Sequence, residues 1–172
     1  MHAVFLDYQT FSPSLDLSAL NKVISKFDFH STTTPDQVLE HCSTAEIILS
    51  NKVVLDSTTL KQLPNLKIIC ITASGYNNVD ITAARELGIA VTNVSGYAKN
   101  SVAQYVFAQL LSYYSQIEDH NNNTREGQWQ KSETFCVHGK GSNELAGKSI
   151  GIIGNGALGG QVATIARAFG MQ

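Results

Sequence analysis

Residues 149–153 read SIGII, and Gly154-Asn155-Gly156-Ala157-Leu158-Gly159 follows at once. The first stretch has the length and β-branched apolar content of a buried strand, and the residues after the turn carry the pattern of a helix. A lone G-x-G-x-x-G is a weak signal. Set between a strand and a helix, it has the context that a dinucleotide-binding turn requires. Gly154 permits the tight turn, and Gly156 lets the backbone approach a pyrophosphate. Gly159 lets the helix pack closely on the strand, while the exposed N–H groups and the helix dipole attract the anion. The alternative is a glycine-rich strand–helix turn with no ligand. A second strand ending in an acid about 20 residues on completes such a fingerprint by binding the ribose hydroxyls. Residues 145–172 hold no Asp or Glu, so the sequence reads as one helix into a nucleotide fold, and the choice between NAD and NADP is not legible.

Upstream, residues 118–145 are polar, contain Asn121-Asn122-Asn123 and predict an irregular arm; ten of the 13 glycines lie from Gly127 onward. Before the arm, residues 99–117 predict one long helix capped near Asn100 or Ser101. Val102, Val106 and Leu110 form one apolar row, with Ala103, Phe107 and Leu111 beside it. That surface is wider than a single amphipathic stripe and implies burial on more than one side, between domains or subunits, unless this is an ordinary core helix.

The first hundred residues alternate strand-like and helix-like segments. Strands are expected at residues 2–7, 45–50, 66–72 and 89–93. Residues 17–27 place Leu17, Leu20, Val23, Ile24 and Phe27 on one helical face. Thr34-Pro35-Asp36 reads as an N-cap, a first-turn proline and a first-turn acid, opening a helix through about Cys42. Asp80 caps a short helix that Gly88 ends. Continuous apolar strands alternating with helices argue for an α/β fold with a parallel sheet covered on both faces.

Composition narrows the function. Of 172 residues, 43% are hydrophobic and 15% charged, with a net charge of −2, which supports a packed core and excludes a wholly disordered chain. A pI of about 6.2 removes the electrostatic footprint of nucleic-acid or anionic-membrane binding. No apolar run approaches the roughly 20 residues of a membrane helix, and the N-terminus lacks signal-peptide character. Three cysteines without a CxxC pair point to reduced thiols in a cytoplasmic protein. No His, Cys, Asp or Glu spacing matches a metal site.

Several stretches then recur in order: Asn51-Lys52-Val53, Leu66-Lys67-Ile68-Ile69, Ala73-Ser74-Gly75-Tyr76-Asn77-Asn78-Val79-Asp80, Gly88-Ile89, Asn93-Val94, Ser101-Val102-Ala103, Gly127-Gln128-Trp129 and Glu144-Leu145-Ala146-Gly147-Lys148. With the glycine turn and Ala168-Phe169-Gly170-Met171 they resemble the D-isomer-specific 2-hydroxyacid dehydrogenases. The Trp129…Phe135-Cys136 spacing and residues 101–104 are most similar to the glycerate dehydrogenase (hydroxypyruvate reductase) branch.

The resemblance implies a flavodoxin-like, parallel-sheet substrate domain over residues 1–98. The opening of a Rossmann cofactor domain would occupy residues 99–172: an interdomain and dimer helix at 99–117, the arm at 118–145 and the first strand–turn–helix at 146–172. It implies an oxidoreductase that uses NAD or NADP on a small 2-hydroxy or 2-keto acid and works as a homodimer. Ser74 and Gly75 fall where the family's backbone amides bind the substrate carboxylate, although a plain turn entering the Asp80-capped helix would use Gly75 equally well. Asn51 and Lys52 fall across the same cleft, Lys52 adding positive charge. Gly154, Asn155, Gly156, Ala157, Leu158 and Gly159 would hold the cofactor, with Val102 near the nicotinamide ring or simply in the core. The family's catalytic Arg, Glu and His match nothing here and are expected beyond Gln172, and His120 and His138 do not replace them. The alternative reading is a truncated, non-catalytic member serving as an interaction or dimerisation module.

Overall fold

The computed structural model describes residues 1–172, which form two compact units, Met1–Ser95 and Gly96–Gln172. In the first, five strands form one sheet: β1 (His2–Phe5), β2 (Lys26–Phe29), β3 (Ile47–Ser50), β4 (Ile68–Ile71) and β5 (Ala90–Thr92). All pairings are parallel and the order is β2-β1-β3-β4-β5, the flavodoxin-like arrangement with its topological switch between β1 and β3. Strand periodicity sorts the core into two faces. Val4, Leu6, Ile48, Ile69 and Ile71 point into a cluster with Val38, Cys42, Leu60 and Ala84, contributed by helices α2 (Val38–Cys42), α3 (Ser57–Leu60) and α4 (Ile81–Glu86). Ala3, Phe5 and Leu49 face the other way, onto Tyr8, Phe11, Leu20 and Ile24. Burial pushes the Cys42 thiol up to about 12, and all three cysteines are free.

In the first unit the expected caps are in place. The Asp80 carboxylate accepts from the Ala83 amide at 2.9 Å, Gly88 ends α4 with φ +73°, and Pro35 opens a 3-10 turn that leads into α2. The expected helix over residues 17–27 is corrected. Only α1 (Ser18–Asn21) is helical, because Lys26–Phe29 pairs with β1, setting Phe27 against Ala3 and Phe29 against Phe5. A long-range ladder overrides local helical periodicity here, yet Leu20, Ile24 and Phe27 still cover the same sheet face.

In the second unit, α5 (Lys99–Ser115) packs on α8 (Ala157–Ala168). Ala103 and Phe107 are buried against Val162 and Ala166, with Val106, Leu110 and Leu111 at the margin. α5 begins at Lys99 as expected, but its N-cap is Ala98, not Asn100 or Ser101, and it ends at Ser115, short of residue 117, where Gln116 turns left-handed with φ +50°. The arm is not irregular throughout: Ile117–Arg125 forms α6 and Gln128–Lys131 forms α7. Glu118 and Asp119 in the first turn of α6 and Arg125 in its last complement the helix dipole, and Asp119 also accepts from Asn123 and from the Lys140 amide. Residues 149–153 form no strand. Gln172 donates to the Lys148 carbonyl and accepts from the Ile150 amide, both at 2.8 Å, but pairing at one residue is too short for a ladder.

One pair of side chains leads us to expect acid sensitivity in the first unit. The His30 and His41 rings stack 3.5 Å apart and nearly parallel, beside backbone that ties β2 to β1: the His30 amide donates to the Phe5 carbonyl at 2.8 Å. Burial and the neighbouring His41 hold His30 below its ordinary 6.5, against the opposing pull of Asp28 and Glu40. The folded state therefore takes up the proton less readily than the unfolded chain, so stability falls as pH drops below about 6.5. The Tm of this unit is expected to decrease between about pH 7 and about pH 5, and His41→Gln should flatten that slope. A Tm that is level or rises on acidification contradicts the assignment.

Candidate functional site

In open α/β sheets ligands bind outside the carboxyl ends of the strands, at the switch point. Asp7 stands there two residues past the end of β1, and β3 runs into the turn Ser50-Asn51-Lys52-Val53. Asp7 is 5% exposed, and its carboxylate accepts from the Asn51 amide at 2.9 Å, the Lys52 amide at 2.6 Å and the Ser50 hydroxyl at 3.3 Å. Ser50 Oγ accepts in turn from the Val53 amide at 3.1 Å, and Asn78 Nδ2 donates to the Val53 carbonyl at 3.0 Å. The backbone of the β3 turn is thus fixed and its amides are occupied. The Lys52 side chain is exposed and pairs with no carboxylate.

The neighbouring β4 turn is in the opposite state. Ser74 Oγ donates to the Val94 carbonyl at 3.0 Å, and Asn93 Nδ2 donates to the Ser74 carbonyl at 2.8 Å. These bonds hold the turn while the Ser74 and Gly75 amides donate to nothing in the chain. Gly75 does not adopt the left-handed region, and a Cβ there would meet no atom within 4 Å. Its missing side chain keeps the approach to an N–H open, which is how a backbone concavity binds an anion. Two residues before the turn, Thr72 Oγ1 is buried without a hydrogen-bond partner.

In the second unit the glycine turn divides its labour. Gly154 has φ +95°, a conformation that favours glycine. A Cβ on Gly159 would run into the Gly154 carbonyl oxygen, with the Ile152 side chain at 3.1 Å. Around Gly156 a Cβ meets nothing within 4 Å, so the space over its backbone is open. The first bond of α8 runs from the Gly160 amide to the Gly156 carbonyl at 2.9 Å, leaving the Ala157, Leu158 and Gly159 amides without acceptors. Free amides at a helix start, under an uncrowded glycine, fit a phosphate group. Val102 is 39% exposed and lies outside the buried cluster of its unit.

Sequence reasoning missed Asp7, Asn93 and Asn78, the residues that hold the two turns. An acid closing the wholly apolar run AVFL was the available signal for Asp7; the asparagines carried none.

One unit is a parallel α/β sheet with one turn of unengaged amides at its carboxyl edge, and the other holds a glycine turn that opens a helix, the features expected of a nucleotide-binding α/β protein. The model of the D-isomer specific 2-hydroxyacid dehydrogenase catalytic domain matches residues 7–159, and the chain belongs to that family. It is 39% identical over 165 residues to a glycerate dehydrogenase of Methylorubrum extorquens, covering 92% of this chain and 52% of the relative. It is 35% identical over 176 residues to a hydroxypyruvate reductase of Blautia hydrogenotrophica, covering 100% and 54%. Among solved structures, an acyclic imino acid reductase in complex with NADPH and D-Arg matches with TM-score 0.75 and 25% identity, over 99% of this chain and 54% of that one. The chain spans about half the length of the curated relatives it matches.

The two inner glycines give a direct contrast. Gly159→Ala forces a Cβ onto backbone and should destabilise the second unit by about 1–3 kcal/mol. Gly156→Ala, in extended backbone with open space, should stay within about 0.5 kcal/mol of the parent. Denaturant melts of the two variants check this, and equal losses would contradict the division of roles.

Proposed function

We propose that residues 1–98 are the substrate domain and residues 99–172 the opening of the NAD(P)-binding domain of a 2-hydroxyacid dehydrogenase. The enzyme transfers hydride between nicotinamide and a small 2-hydroxy or 2-keto acid, with glycerate and hydroxypyruvate as the pair. The observation that carries this reading is the β4 turn, where the free Ser74 and Gly75 amides sit at the carboxyl edge of the sheet. Those amides bind the substrate carboxylate, and the unpaired Lys52 ammonium, beside Asn51, adds attraction for the anion. The Ala157, Leu158 and Gly159 amides would hold a pyrophosphate at the helix start, Gly154, Asn155 and Gly156 would shape its approach, and Val102 would lie near the nicotinamide. A bound NAD(P) supplies or accepts the hydride. Proton transfer and the grip on the substrate carbonyl need the family's His, Glu and Arg, which match no position among these 172 residues.

The similarity to a glycerate dehydrogenase and to a hydroxypyruvate reductase at 39% and 35% identity supports the choice of substrate pair. On α5 Tyr105 and Tyr113 are exposed, and Ile117, Trp129 and Phe135 are exposed along the arm. A surface of that kind marks an interface, and we assign it to a homodimer of a cytoplasmic enzyme. No helix is long and apolar enough to cross a membrane.

An assay with NADH or NADPH and hydroxypyruvate tests the reading in two arms. The 172 residues alone are expected to be inactive, whereas the complete enzyme is expected to turn over at roughly 1–10³ per second. Ordinary turnover by the short chain, or none by the complete enzyme with any small 2-keto acid, contradicts it.

A further inference from the structure

Asp7 is a buried carboxylate with no cation. It makes no salt bridge, and its charge is met by the two amides and the hydroxyl of the Ser50-Asn51-Lys52 turn. Burying a charge without an ion partner is costly unless donors of this kind surround it. Ending β1 requires nothing so expensive, since any small or apolar residue can close a buried strand.

The geometry shows what the carboxylate accomplishes. It lies at the β1/β3 switch point, where the fold places ligands, and it takes up the amides of the β3 turn. An incoming anion therefore finds free amides on the β4 turn and not on the β3 turn. The same grip fixes the backbone from which the Asn51 and Lys52 side chains project. Neither the Asn51 amide group nor the Lys52 ammonium is bonded within the chain. Rigid backbone carrying unengaged polar side chains is the arrangement of a pre-organised binding turn.

We propose that Asp7 is a positioning residue for the substrate. It acts through the β3 turn, directing the anion to Ser74 and Gly75 and holding Asn51 and Lys52 toward it. This rests on the function proposed above. Asp7→Asn keeps the shape but turns one acceptor into an NH2 donor facing N–H groups. Hydrogen exchange on the 172-residue chain should then show faster exchange at the Asn51 and Lys52 amides, with the β4 amides unchanged. In the complete enzyme, KM for hydroxypyruvate should rise at least about tenfold, with KM for the cofactor unchanged and kcat falling far less.

A purely structural role predicts the reverse pattern: kcat drops with the folded fraction and KM for hydroxypyruvate stays put. That outcome, or unchanged exchange at Asn51 and Lys52, overturns the proposal. Should Asp7→Asn fail to fold, Ser50→Ala removes one donor to Asp7 and the acceptor for Val53, and the same pattern is expected at smaller size. A wild-type enzyme that reduces no 2-keto acid sinks the function reading, and the positioning role for substrate falls with it. The exchange data still decide whether Asp7 holds the turn.

Discussion

A parallel strand cannot satisfy its own backbone groups, and each must find neighbours supplied from far along the chain. In the first unit β1 meets that demand with β2 on one side and β3 on the other, and β4 and β5 extend the ladder. Everything else in that unit follows from this pairing. The strand alternation divides the apolar residues between two faces, α2, α3 and α4 cover one, and the segment from Tyr8 to Ile24 covers the other. In the second unit the same demand goes largely unmet: residues 149–153 have strand composition, pair at one residue with Gln172 and carry no strand.

Parallel pairing also brings all the strand C-termini to one edge, and the chemistry collects there. Two adjacent turns leave β3 and β4 with the same kind of backbone donors in different states. Asp7 occupies the first set, while Ser74 and Gly75 keep the second set open. The glycine turn before α8 repeats the open arrangement in the second unit, at the start of a helix. Unengaged backbone amides thus stand at both places, and on the function we propose a chain of net charge −2 would need no basic patch to bind anions there.

How much of this could be read from the sequence depended on the range of the interaction. Apolar runs such as LKIICIT announced their strands because burial on both faces leaves no polar positions. Asp80 and Pro35 announced helix starts because capping acts within one turn. β2 was not legible, since KFDF mixes charge with aromatics and becomes a strand only by lying against β1. α6 was hidden by its asparagines, whose low propensity is offset by the dipole-matched Glu118, Asp119 and Arg125 and by the bonds Asp119 makes. At the site, Gly154 and Gly159 were legible by spacing. The Asp7 grip on a turn more than 40 residues away was not, because no local pattern encodes it.

We propose that the β4 turn, and not the β3 turn, offers its amides to a small carboxylate. Titrating the chain with hydroxypyruvate while following backbone amide resonances tests it most directly. The account predicts saturable shifts that are largest at Ser74 and Gly75, with the Asn51 and Lys52 amides moving little because Asp7 already holds them. Shifts centred on Asn51 and Lys52 with Ser74 and Gly75 silent would contradict it.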